Sequence, residues 1–146
     1  MSTPPRELYM AEPPATYLVR RPLVVDCSTL SGVMFQEHWH AQATGKIADR
    51  ALHAPYLLDA EMANVAVKKH RQGFAQIADD GLAQFQAMDI ELHPIKAAEV
   101  VLLALRYSLS AYDASYLWLA AELKAPLATF DEKLATAART HLASLS

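Results

Sequence analysis

The clearest chemical possibility in this sequence lies in its carboxylates. Asp26 ends the apolar run Leu23-Val24-Val25, and Asp131 follows Pro126-Leu127-Ala128-Thr129-Phe130. Asp113 lies three residues after Ser110, and Glu61 sits inside an amphipathic stretch. Four such groups brought together repel one another unless cations neutralise them. Oxygen-only ligands suit Mg²⁺ or Mn²⁺ rather than zinc. A pair of such ions can activate a water and stabilise the leaving oxygen of a phosphodiester.

Taken singly, three of the acids have structural readings, evenly matched with the ligand reading for Asp26 and the stronger of the two for Asp113 and Asp131. Asp26 and Asp131 each stand where a strand turns into a helix, so either is an N-terminal cap or a ligand at the carboxyl edge of a sheet. Asp113 fits a capping box opened by Ser110, and an acid in the first turn also suits the helix dipole. Glu61 is different, because it comes too late in its helix to cap it. Leu57, Leu58 and Val65 share its side of the helix, which places it on the inward stripe. A buried carboxylate needs a compensating partner, either a basic group or a metal. Asp59, a nearby rival, is explained by the helix dipole.

The elements that position these acids alternate. Strands are expected at Pro22–Val25, near Leu52–Ala54, at Ile90–Ile95 and at Pro126–Phe130. Helices are expected over Ser28–Glu37, Ala41–Leu52, Leu57–His70, Phe74–Met88, Ala97–Leu109, Ser110–Lys124 and Asp131–Leu142. Strands separated by helices imply a mostly parallel sheet covered on both faces. Residues 1 to about 20, with Pro4, Pro5, Pro13 and Pro14, read as a flexible leader ahead of one domain over 21–146.

Composition sets the remaining bounds. The 146 residues are 53% hydrophobic, enough for one sizeable core. The net charge of −3 does not announce a nucleic-acid binder, although a carboxylate cluster biases that count. Cys27 is the only cysteine, which excludes an internal disulfide and a thiolate-rich zinc site. It reads as a small core residue beside the acids rather than a nucleophile. The N-terminal segment lacks the apolar run of a signal peptide, and a reducing cytoplasmic setting is expected.

Other motifs read blandly or split evenly. His38-Trp39-His40 suggests a surface helix end, since neighbouring residues do not share a helix face. Lys68, Lys69, His70 and Arg71 suit either RNA phosphate or a helix C-terminus. Tyr112, Tyr116 and Trp118 read as core or interface residues. No glycine-rich phosphate loop is present, and Ser28 stands where a haloacid-dehalogenase-like phosphatase needs a second aspartate.

At these residues the chain resembles the PIN domains, in particular the VapC-type toxins of bacterial toxin–antitoxin pairs. The resemblance rests on Leu23–Ser28, Ala54–Val65, Leu109–Leu117 and Ala125–Leu134, in that order, and extends from about Pro22 to Leu142. It implies an α/β three-layer fold with a four- to five-stranded, mostly parallel sheet. It carries the family's acids onto Asp26, Glu61, Asp113 and Asp131, with Ser28, Asn64 and Thr129 as polar neighbours. The chain ends at Ser146, so the last edge strand usual in the family is expected to be short or missing.

The expected activity is that of an endoribonuclease using Mg²⁺ or Mn²⁺, in which metal-activated water hydrolyses RNA phosphodiesters. The resemblance also implies an antitoxin partner and a homodimer. Two rivals are a catalytically silent PIN-like module that binds RNA or protein, and a phosphate-handling α/β enzyme acting on a small molecule.

Overall fold

The computed structural model describes residues 8–11, 20–35 and 37–145. The leader expected over residues 1 to about 20 lies outside the described residues except for 8–11 and 20. In chain order the elements are β1 (Arg21–Val25), α1 (Cys27–Met34), α2 (His40–Ile47), β2 (Arg50–Pro55), α3 (Leu57–Arg71) and α4 (Ala75–Ala87). They continue with β3 (Ile90–His93), α5 (Ala97–Tyr107), α6 (Ala111–Leu123), β4 (Leu127–Ala128) and α7 (Glu132–Ala143).

The four strands form an all-parallel sheet in the order β3-β2-β1-β4. β1 is central and buried on both faces, which explains its unbroken Leu23-Val24-Val25 run. Helices α1 to α4 pack together, α5 to α7 form a second group, and the sheet lies between them. Helix α6 is buried without interruption from Ala114 to Ala120 and touches β1, β2 and β4. A helix apolar on all sides belongs inside a core, and α6 is the spine of this one.

Two boundaries differ from the sequence expectation. The second helix stops at Ile47, and β2 runs over six residues, Arg50–Pro55. The break comes at Asp49, whose positive φ of 56° turns the chain out of the helix before Pro55 is reached. The expected strand over Pro126–Phe130 shrinks to Leu127–Ala128, because Thr129 and Phe130 already turn toward α7. Among the described residues no fifth strand follows α7.

Helices α1 and α4 approach closely at Gly81. A Cβ there would stand 2.6 Å from Phe35 Cε1 and 2.7 Å from the Met34 carbonyl oxygen. The latter is backbone and cannot swing aside. Gly81→Ala is therefore expected to destabilise the fold by about 2 kcal/mol. Thermal melting should then show a drop in Tm of roughly 4–8 °C.

Candidate active site

The strand order dictates where a crevice can open. From β1 the chain crosses to β2 on one side, whereas β4 joins on the other. Connections that leave in opposite directions open a cleft at the carboxyl ends of the strands between them. Asp26 ends β1 at this point, and Thr129, Phe130 and Asp131 follow β4 beside it.

Asp26 is only 5% exposed and is the hub of the site. Its Oδ1 accepts hydrogen bonds from Ser28 Oγ at 2.7 Å, from the Thr29 amide at 3.0 Å and from Thr29 Oγ1 at 3.1 Å. Its Oδ2 accepts one from Thr129 Oγ1 at 2.5 Å. The cap reading holds, and Asp26 also draws the β4 turn against β1. Ser28 and Thr129 repeat that tie, with Ser28 Oγ accepting from the Phe130 amide at 2.9 Å and Thr129 Oγ1 from the Asp131 amide at 2.9 Å.

Glu61 is half-buried on α3. The partner its position demands is Tyr116 on α6, whose hydroxyl donates to Glu61 Oε1 at 2.6 Å. Burial raises the Glu61 pKa, the Tyr116 hydrogen bond lowers it, and the charges of Asp113 and Asp26 raise it again, for a net upward shift. Asp113 is also half-buried and raised, first by burial and then by Asp131 and Asp26, with Lys133 and the Ser110 cap opposing. The Ser110 cap reads as the sequence suggests, with Ser110 Oγ accepting from the Asp113 amide at 3.1 Å. Asp131 is exposed and caps α7 through Oδ1, which accepts from the Leu134 amide at 2.8 Å.

Four acids from distant stretches therefore share one electrostatic neighbourhood. They form an open basin: among the described residues, no three of these carboxylates bring oxygens within 4.8 Å of one another. Asn64 lies exposed on α3, one turn beyond Glu61, and among the described residues no hydrogen bond joins it to the four acids. Cys27 touches Ser31 Oγ and Met62 Sδ, and burial pushes its thiol up to about 11, so it is no nucleophile at neutral pH.

Beside the basin opens a groove of about 710 Å³ lined by Ser28, His38, Trp39, Gln42, Phe130 and Asp131. The expected surface helix end holds for His38 and His40, which are exposed where α2 begins, but not for Trp39. Trp39 is half-buried, its indole donating to the Ser28 carbonyl at 3.1 Å and its ring facing Phe130 at 6.0 Å. A Cβ at position 32 would strike that indole, so Gly32 is what lets Trp39 seat there. Lys46 stands 4.7 Å over the Phe130 ring. The basic cluster that ends α3 is partly committed elsewhere, with Lys69 paired to Glu37 at 2.7 Å and His70 to Asp79 at 2.8 Å.

Comparison with known proteins agrees with this geometry. A family model described as PIN domain matches residues 23–140. The chain is 32% identical over 115 residues to the VapC ribonuclease Mb0985 of Mycobacterium bovis, across 77% of this chain and 87% of that relative. It has the same identity and coverage with the ribonuclease VapC9 of Mycobacterium tuberculosis. The crystal structure of PAE2754 from Pyrobaculum aerophilum superposes with a TM-score of 0.64, covering 86% of this chain and 90% of that one at 24% identity. A buried aspartate at the sheet's switch point, three further acids around it and a family match across nearly the whole described body lead to one assignment: this chain belongs to the PIN domain family.

Proposed function

We propose that the chain is an endoribonuclease of the VapC kind, with Asp26, Glu61, Asp113 and Asp131 as its metal-holding and catalytic set. The observation that carries this reading is the convergence of four carboxylates at the sheet's carboxyl edge, where Asp26 and Asp113 raise the cost of charge on Glu61, and Asp131 and Asp26 raise it on Asp113. An all-oxygen donor set of this charge suits Mg²⁺ or Mn²⁺. When bound, such an ion supplies charge neutralisation and an activated water for attack at phosphorus.

The chain's own residues do the rest. Ser28, Thr29 and Thr129 fix the Asp26 carboxylate, and Tyr116 fixes that of Glu61. Asp131 has one oxygen committed to capping α7 and offers the other. The neighbouring groove suits a nucleic-acid strand, since Trp39 and Phe130 give flat apolar surfaces for bases and Lys46 gives a cation for phosphate. The chemistry belongs to residues 21–146, and the cytoplasm is its setting. Among the described residues no helix is long and apolar enough to cross a membrane.

An antitoxin protein is the expected partner, and an arginine placed among the acids is its simplest means of inhibition. A second copy is assigned to α5, where Val101, Leu102 and Leu105 are exposed near exposed Tyr112.

Asp26→Asn keeps the size of the side chain and its acceptor oxygen but removes a negative charge. Metal-dependent cleavage of a mixed RNA pool should fall by on the order of a hundredfold, and Tm should fall as well, because the new NH₂ turns a donor toward hydroxyls that now donate to Asp26. Cleavage that survives at wild-type rate would falsify the assignment, while a wild-type chain that binds RNA without cutting it points to the silent module. Trp39→Ala should raise KM for RNA several-fold, in keeping with about 1–3 kcal/mol per stacked base.

The raised carboxyl groups make a prediction about pH. Glu61 and Asp113 hold protons at higher pH than ordinary carboxyls do. Mn²⁺ affinity should therefore weaken as pH falls through that raised range, as protons compete for the ligands. The metal-free fold should gain stability over the same range, because there it binds more protons than the unfolded chain. Tyr116→Phe removes the hydroxyl that favours charged Glu61. It should lower Mn²⁺ affinity about tenfold and move the pH at which binding is lost upward, as read by calorimetric titration across pH.

A further inference from the structure

A second cluster of ligating side chains lies away from the acidic basin, at the open edge of the sheet. His53 stands on β2, in register with Glu91 on β3, and His93 is two residues farther along β3. Alternation along the strand puts Glu91 and His93 on one face of the sheet. Ile90 and Leu92 take the other face, where they line a cavity with Asp59, Phe85 and Met88. His53 Nδ1 lies 2.9 Å from His93 Nε2 and 3.4 Å from Glu91 Oε2. One ligand atom from each of the three residues lies within 4.8 Å of the other two.

These distances match the requirements of a metal. Zn²⁺ held by imidazole nitrogens at about 2.0–2.1 Å in tetrahedral geometry sets its ligand atoms roughly 3.3 Å apart. The His53–His93 and His53–Glu91 separations of 2.9 and 3.4 Å are close to that value. Without a metal, the two imidazoles share one hydrogen bond, and binding requires that proton to pass to the other nitrogen of its own ring. His53 and Glu91 also line a cavity of about 380 Å³ that gives access from outside, together with Arg20, Arg50 and Asp89. The two arginines there are offset by the two acids, so the approach is not barred to a cation.

We propose that His53, Glu91 and His93 form a binding site for a zinc-class divalent ion, separate from the carboxylate basin and independent of the nuclease reading. The donor set decides the metal. Two imidazoles and one carboxylate favour Zn²⁺ or Co²⁺ over Mg²⁺, whereas the basin offers oxygen alone. Three protein ligands leave a further position open to water. The ion would tie β3, the edge strand beyond β2, to the body of the sheet, and a ligand that binds only the folded state raises the melting temperature.

The test uses the untagged full chain, stripped with chelator, and titrates Zn²⁺ by calorimetry and Co²⁺ by its visible absorption. The site predicts that Asp26→Asn retains Zn²⁺ binding at wild-type affinity and that His93→Gln weakens it by at least about tenfold. It also predicts a Co²⁺ spectrum of tetrahedral type and a Zn²⁺-dependent rise in Tm, both lost in His93→Gln. His53 is only 15% exposed in its side chain and its replacement can disturb packing, so Glu91→Gln, at a position 67% exposed, gives an independent arm with a smaller loss of affinity. Binding unchanged in His93→Gln and Glu91→Gln overturns the proposal. So does binding abolished by Asp26→Asn, which would place the ion in the basin, or a wild-type chain that takes up Zn²⁺ no better than Mg²⁺, which would leave the histidines a hydrogen-bonded pair only.

Discussion

Everything at the carboxyl edge of the sheet depends on keeping one buried carboxylate in place. Asp26 is nearly out of reach of water, and a charge so placed is costly unless donors surround it. Three hydroxyls and one backbone amide supply them. Those donors come from the first turn of α1 and from the turn after β4, so satisfying the charge also joins two segments more than 100 residues apart. The same interaction that makes the carboxylate tolerable builds the floor of the cleft.

The neighbouring acids are held by a different balance. Glu61 and Asp113 are partly desolvated and both lie in the field of Asp26, and among the described residues the basic influence on them is that of Lys133 on Asp113. Protein groups orient these acids without neutralising them: the Tyr116 hydroxyl holds the Glu61 carboxylate, the Leu134 amide holds that of Asp131 where it caps α7, and the Ser110 cap fixes the Asp113 backbone in the first turn of α6. A site that collects negative charge while leaving it uncompensated suits a cationic ligand better than it suits stability.

Much of this was legible in the sequence because local and distant demands coincide. The apolar runs before Asp26 and Asp131 mark buried parallel strands, and an acid that caps the following helix necessarily sits at the carboxyl edge. Glu61 announced itself by lying inward where no cap explains it. Its partner did not, since Tyr116 lies 55 residues away on a helix apolar all round, where a tyrosine reads as packing. Trp39 was hidden for a related reason: its indole, at the start of α2, seats against Gly32 of α1, where a side chain would collide with it. The histidine pair was harder still, because 40 residues separate its members; the available hint was Glu91 and His93 at alternate positions of one strand.

Helix α6 carries a consequence of its own. It is buried without interruption from Ala114 to Ala120, and it bears both Asp113 at its mouth and the phenol that steadies Glu61 one turn deeper. The inner scaffold and the acidic rim are thus parts of one rod, so a change in packing that shifts the axis of α6 displaces Asp113 and the phenol beside Glu61 together.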